Sequence, residues 1–217
     1  MITKISKNLD ELNFEPNSIY EAIITTNSTN GGFNAAPMGV IRRNGEEVQL
    51  MPFKTSRTHE NLKRKSKACI NVSSKTGFYL VTAFKDFFFE GLETPTIDKK
   101  LRLHPSDAHI FVEAKEYESI SDLKTSFICE VKEIEVINPF PSIFSRGKAK
   151  TIDAIIHATR IKVYMEKGDK SKVNDLINKF LECRKFVMRT SSSDSEEIKV
   201  VSYLYELVKE NFLLKTN

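Results

Sequence analysis

Two stretches carry residue types suited to holding a ligand. Asn34-Ala35-Ala36-Pro37-Met38-Gly39 is a ribbon of small residues stiffened by a proline, and a flat molecule can lie along its backbone. Lys54-Thr55-Ser56-Arg57-Thr58-His59-Glu60-Asn61 is a hydroxyl-rich, basic turn running into the helix-forming Leu62-Lys63-Arg64-Lys65. The spacing predicts a helix start with Thr58 as N-cap and Asn61 at the third position. Free N–H groups of a first turn and the positive end of the helix dipole favour an anion, and Lys54, Ser56 and Arg57 add charge and donors just upstream. A flat, phosphate-bearing ligand suits both stretches. The second stretch equally suits a capped surface helix with solvated lysines, because such caps are common.

Other candidates are fewer. His157 and Arg160 lie three apart on one helical face, where they present an acid and a cation to a substrate or make interhelical hydrogen bonds. Arg146, behind a Pro-Phe-Pro stretch, is placed to hold an anion or to cap a turn. Phe87-Phe88-Phe89 reads as core more readily than as an aromatic clamp over a ring. There is no GxSxG, HExxH, Walker loop or GxGxxG, which weakens a hydrolase reading. Cys69, Cys129 and Cys183 lie far apart with no CxxC spacing, so neither a disulfide framework nor a metal site is expected, and they read as reduced core residues.

The pairing of Asn34-Ala35-Ala36-Pro37-Met38-Gly39-Val40 with Lys54-Thr55-Ser56-Arg57-Thr58-His59-Glu60-Asn61-Leu62 resembles the flavin-reductase-like FMN-binding split barrels. Further on, Phe144-Ser145-Arg146-Gly147-Lys148-Ala149-Lys150 and Ile152-Asp153-Ala154-Ile155-Ile156-His157-Ala158-Thr159-Arg160 resemble the DUF447 branch of that superfamily. The resemblance covers most of the chain and rests on the order and spacing of loose motifs. It implies a mostly β fold with α, an FMN-binding split β-barrel followed by a helical C-terminal portion. It also implies that Lys54, Ser56, Arg57, Thr58 and Asn61 hold the FMN phosphate, and that the isoalloxazine lies against Asn34 to Gly39. Thr25 and Thr26 reach toward the same site but match no firm motif. A homodimer with flavin near the subunit interface follows from the same likeness. So do two functional classes: a flavin-dependent oxidoreductase with a nicotinamide donor and an unnamed acceptor, or a flavin-binding carrier, sensor or assembly protein without turnover. One compact anion site and no Rossmann crossover favour FMN over FAD, while F420 or another ring stays open. The helical tail departs from the simple flavin reductases and leaves their substrates unassigned here.

The elements that must position these residues are legible in outline. Ile19–Thr26 and Asn34–Arg42 flank a turn-rich Asn27–Gly32 and predict a hairpin, with Pro37 pointing to a bulge or a ligand-facing edge. Asn44-Gly45 marks a turn before a strand over 47–53, and 68–72, 78–84, 108–117 and 126–137 read as further strands. Residues 90–107 fit neither period and read as a long loop. Short strands at this spacing predict an antiparallel closed or half-closed barrel. Asn138-Pro139-Phe140-Pro141 stops both helix and sheet, so a barrel domain over 1–138 gives way to a helical region over 139–217 packed on it. There Ile152, Ile155, Ile156 and Val163, then Val173, Leu176, Ile177, Phe180 and Leu181, recur at helical spacing. Ser193 with Glu196 predicts a capping box before a last helix. The polar arm 1–18 brings Leu9, Leu12 and Phe14 within reach of the body.

Composition narrows the partners. Of 217 residues, 33 are basic and 29 acidic, and a net charge of +4 is too slight to imply nucleic acid. No apolar run reaches the length of a membrane span and no signal-peptide layout opens the chain, so a cytoplasmic protein is expected.

Overall fold

The computed structural model describes residues 4–12, 14, 19–28, 31–43, 45–138, 146–191 and 193–210. They form two compact units, one from the described parts of 1–74 and 95–141, the other from those of 75–94 and 142–217. Among the described residues no helix is long and apolar enough to cross a membrane.

The first unit is an antiparallel barrel. Its strands are β1 (Lys4–Ser6), β2 (Ile19–Asn27), β3 (Phe33–Arg42), β4 (Glu47–Leu50), β5 (Lys67–Val72), the small hairpin β6 (Thr96–Ile97) and β7 (Leu103–His104), β8 (Ala108–Ser119) and β9 (Thr125–Val136). The order β9-β4-β3-β2-β5-β8 closes because β8 pairs back onto β9, and β1 extends the wall on the far end of β9. Every second residue turns inward: Ala22 and Ile24, Val48 and Leu50, Ala68 and Ile70, Ile110 and Val112 meet in one apolar cluster. Leu9 and Phe14 are buried in that cluster, and Phe14 stacks on Tyr20 at 4.5 Å, so the N-terminal arm does pack on the body.

In β9 the strict alternation breaks, since Phe127, Cys129 and Val131 share one parity and Ile134 and Val136 the other. All five are nevertheless core. The register explains it: Val112 pairs with Val131 and Phe111 with Glu133, so Lys132 is an extra residue that resets the faces.

On the opposite face of these strands a polar row is covered by residues 98–106. Asn71 Nδ2 donates to the Ile23 carbonyl at 2.9 Å and to Thr25 Oγ1 at 3.0 Å, while its Oδ1 accepts the Leu103 N–H at 2.8 Å and lies 2.9 Å from His109 Nδ1. Arg102 pairs with Asp98 at 2.7 Å and with buried Glu135 at 3.3 Å.

The second unit is helical: α2 (Thr76–Ala83), α3 (Arg146–Glu166), α4 (Lys170–Thr190) and α5 (Glu196–Val208). The segment 78–84, expected as a strand, is instead mostly α2, with consecutive Phe78, Tyr79 and Leu80 all buried. A short apolar run with no polar face has no period to declare its type. With it, residues 75–94 belong to the helical unit. Helices α3 and α4 form a hairpin through Gly168, whose φ of +73° suits a residue without Cβ, and Asp169 caps α4 by accepting the Lys172 N–H at 3.0 Å. The α4 stripe runs through Val173, Leu176, Ile177 and Phe180 but continues to Cys183 and Val187, leaving Leu181 exposed. The cap of α5 is Ser195, which accepts the Ile198 N–H at 3.4 Å, and not Ser193 as the spacing suggested. Of the phenylalanine triplet only Phe89 is core, packed edge-on against Tyr203 at 5.5 Å, whereas Phe87 and Phe88 are exposed. The three cysteines are buried and unpaired. The Pro139–Pro141 break, Phe144 and Ser145 lie outside the described residues.

Candidate functional site

The basic turn and its helix, α1 (Arg57–Lys65), join β4 to β5 in the barrel unit. The cap is Ser56, not Thr58. Its backbone N–H returns to the Phe53 carbonyl at 2.9 Å, which closes a tight turn and starts the helix two residues earlier than the sequence suggests. Its hydroxyl accepts the His59 N–H at 3.2 Å and donates to the Phe53 carbonyl at 2.7 Å. The Arg57 and Thr58 N–H groups then begin the helix with no acceptor inside it.

Once Ser56 is the cap, α1 has two distinct faces. Thr58, Asn61 and Leu62 turn inward and are buried. Asn34 Nδ2 donates to Thr58 Oγ1 at 3.1 Å and to Thr26 Oγ1 at 3.4 Å, and Asn61 Nδ2 donates to the same Thr26 oxygen at 2.9 Å. This buried lattice fastens the first turn of α1 to β2 and to the start of the β3 ribbon. Its four side chains spend their polar atoms largely on one another.

The outer face follows helical spacing from the cap: Ser56, His59, Glu60, Lys63 and Arg64 stand at i, i+3, i+4, i+7 and i+8. With Lys54 and Thr55 they line an open cavity of about 430 Å³. Lys54, Lys63 and Arg64 against Glu60 leave it two positive charges in excess while His59 is neutral. Lys54 Nζ donates to Ser119 Oγ at 2.7 Å, Lys63 Nζ stands over the Tyr117 ring at 5.6 Å, and Arg64 pairs with Glu60 at 3.3 Å. His59 Nε2 is 3.1 Å from Thr125 Oγ1, and its ring meets Phe127 edge-on at 5.7 Å. Burial, then Lys63 and Lys54, hold His59 below its usual range, opposed by Glu60.

At its start, where Asn34 meets the inner face of α1, the β3 ladder is incomplete. Its β2 side is paired from Phe33 to Ile41, but β4 pairs only with Val40, Ile41 and Arg42. Pro37 sits opposite Ile23 without a bulge, so its ring nitrogen, which has no proton to give, faces away from β2. By strand alternation the peptide groups of Ala35 and Gly39 face the same way, toward a side with no partner strand among the described residues. Pro37 thus marks an edge, one of the two outcomes its presence predicted.

The expected site residues therefore separate. Lys54 and Ser56 line the cavity; Ala36, Pro37, Met38 and Gly39 are half-buried along the open edge; Ala35 is buried there. Asn34, Thr58 and Asn61 form the buried lattice below, and Thr26 joins them, while Thr25 belongs to the Asn71 cluster. Arg57 is exposed and is not among the cavity-lining residues. His157 and Arg160 lie on α3 in the helical unit, where burial lowers the pKa of His157 and its buried Nδ1 has no hydrogen-bond partner among the described residues. Arg146 opens α3. The cavity residues not singled out from the sequence, His59, Lys63 and Arg64, carried a readable signal: their spacing from Ser56 once Ser56 is taken as the cap.

The family model for the N-terminal domain of the DUF447 proteins, a family described as being of unknown function, matches residues 20–138. The chain belongs to the DUF447 family. The solved structures similar to this DUF447 chain include an FMN-bound DUF447 protein from Methanosarcina mazei, at 20% identity and a TM-score of 0.69 over 92% of this chain and 99% of that one. They also include the styrene monooxygenase flavin reductase from Pseudomonas putida S12, at 17% identity and a TM-score of 0.46 over 60% of this chain and 89% of that one. At 20% identity the likeness to the M. mazei protein is one of fold, and the barrel followed by a helical portion is the architecture the motifs implied. No curated protein matches the chain.

Proposed function

We propose that this protein binds FMN, with the phosphate in the α1 cavity and the isoalloxazine along the open edge of β3. The observation that carries the reading is the juxtaposition of a cavity walled by Lys54, Lys63 and Arg64 with an unpaired strand edge, tied together by the Asn34–Thr58 hydrogen bond. The donor set fits a phosphomonoester, since two lysines, an arginine and the Thr55 hydroxyl offer protons and positive charge and only Glu60 opposes them. The edge fits a flat polar ring, because peptide groups there await hydrogen bonds. The FMN-bound family member from M. mazei supports the same cofactor.

Bound FMN would supply hydride and electron transfer between a nicotinamide donor and an acceptor, while the chain supplies placement, charge and a covered surface. We therefore read the protein as an FMN-dependent oxidoreductase that works as a homodimer, a second copy covering the exposed edge. Titration with FMN, FAD and riboflavin tests the binding. Tight FMN binding with weaker riboflavin supports the reading, and indifference to all three overturns it. Anaerobic bleaching of the bound flavin by NADH or NADPH tests the reaction. A flavin that binds but resists both donors would make the chain a carrier or sensor instead.

A further inference from the structure

The cavity holds one group that neither charge counting nor the cap explains, His59. Its Nε2 is engaged by Thr125 Oγ1 at 3.1 Å, and Thr125 is itself only 3% exposed, anchored by its N–H to the Pro52 carbonyl at 3.2 Å. Phe127 packs the ring edge-on from the same strand. The imidazole is thus held in one orientation from beneath, and Nδ1 has no hydrogen-bond partner among the described residues. A threonine hydroxyl can donate or accept, so the Thr125 bond survives whether or not Nε2 carries a proton.

We propose that His59 is a further phosphate ligand of this cavity, which takes up one proton from solvent as the phosphate enters and then donates through Nδ1 to a phosphate oxygen. The inference rests on the phosphate reading above. The free site keeps the imidazole neutral: Lys54 on the preceding turn and Lys63 on α1 oppose its protonation, Glu60 favours it, and Thr125 and Phe127 on β9 are uncharged. Arg64, across the same cavity, adds positive charge. A phosphate dianion reverses the balance. Its charge, close to the ring, favours the imidazolium, and the pair gains a charge-assisted hydrogen bond that neutral His59 offers only in one tautomer. A proton-gated ligand also accounts for a histidine amid three cations. A fourth permanent charge would repel its neighbours in the free protein, whereas a titratable one appears only when the anion is there to balance it.

The linkage has a definite sign. A base whose pKa rises on binding makes affinity climb as pH falls, by at most about tenfold per pH unit while the bound form is protonated and the free form is not. The test is calorimetric titration of the parent and of His59→Gln with FMN and riboflavin, each in two buffers of different ionisation enthalpy, from about pH 7.5 to about pH 6. Glutamine keeps a hydrogen-bonding amide and cannot titrate. The expected result is greater proton uptake with FMN by the parent than by His59→Gln, an affinity ratio between them that widens toward low pH, and no such difference with riboflavin. The comparison cancels the titration of the FMN phosphate itself, which is common to both proteins. FMN binding with equal proton uptake by parent and variant overturns the role of His59 and leaves the cofactor reading standing. An equal difference with riboflavin overturns the phosphate assignment. A parent that binds no FMN overturns both.

Discussion

At the scale of single residues, the cavity and the lattice beneath it make opposite predictions for neighbouring side chains on one helix. Lys63 is exposed on the cavity face, so Lys63→Ala should leave stability near the parent and weaken FMN by about tenfold, the loss of one solvent-accessible charge-assisted contact. Arg57→Ala, off the cavity face, should weaken it less. Asn61 is 3% exposed and holds Thr26 from below. Asn61→Ala should cost about 1–3 kcal/mol of folding stability by leaving the buried Thr26 hydroxyl with only the longer bond from Asn34, with FMN affinity of the folded protein nearly kept. Chemical denaturation alongside FMN titration separates the two, and an Asn61→Ala protein of parental stability that has lost FMN would make Asn61 a ligand after all. The sequence made these residues adjacent and alike in chemistry. It could not assign them to faces, because one misplaced cap rotates every later position.

A second residue-scale prediction concerns acid. His109 is fully buried, and burial, then His104 and Arg102, push its pKa down from 6.5 to about 4, with Asp98 opposing. The unfolded chain therefore binds more protons than the folded one between those two values. The stability linked to His109 is fully present above about pH 6.5 and is lost as pH falls toward about 4, on the order of 3 kcal/mol in all. His109→Asn keeps a polar partner for Asn71 and removes the titration, so its unfolding free energy should be lower at neutral pH yet fall less between pH 7 and 4. Equal pH slopes for parent and variant in urea unfolding would dismiss His109 as the sensor.

At the scale of elements, the sequence was most informative where one face of a strand or helix meets water and least where neither does. Strands β2 and β5, buried on both faces, were legible only from their β-branched residues and their length, whereas strand β4 and the stripe of α4 announce themselves by period. Helix α2 does not, because Phe78, Tyr79 and Leu80 are all buried and leave no polar face to count from. The parity break in β9 was visible as mixed faces, but its resolution needs the partner strand, since only the pairing of Val112 with Val131 and Phe111 with Glu133 shows where the extra residue sits. Lys132 is exposed, so Lys132→Ala should change the melting temperature little. Deleting Lys132 should regularise the ladder and keep Ile134 and Val136 in the core, since the buried side chains from Phe127 to Val136 then share one inward parity, so it should cost far less than the roughly 1.5–3 kcal/mol of a buried side chain turned outward. Thermal melts of the pair check it: a deletion variant far less stable than Lys132→Ala would mean that the bend of the bulge, and not only the register of its side chains, holds the barrel together.

At the scale of the whole molecule, the chain order of barrel followed by helices was readable because the period changes along the sequence. The excursion of residues 75–94 into the helical unit was not, since nothing in a linear pattern records which compact unit a segment joins. The proposed dimer belongs to this scale. Light scattering should report about twice the 24.8 kDa chain mass. A concentration-independent monomer that holds FMN would mean that one chain suffices for the site.

The proline in that open edge bears on how the protein survives before it meets a ligand. A bare strand edge is a template on which foreign strands can grow, and the proposed second copy covers it only once the dimer has formed. Pro37 interrupts the row of donors while leaving its carbonyl in place, so small molecules can still bond there but an incoming strand finds a missing rung. Until a partner plugs the edge, a single imino acid poisons it for polymers at no cost in access for small molecules.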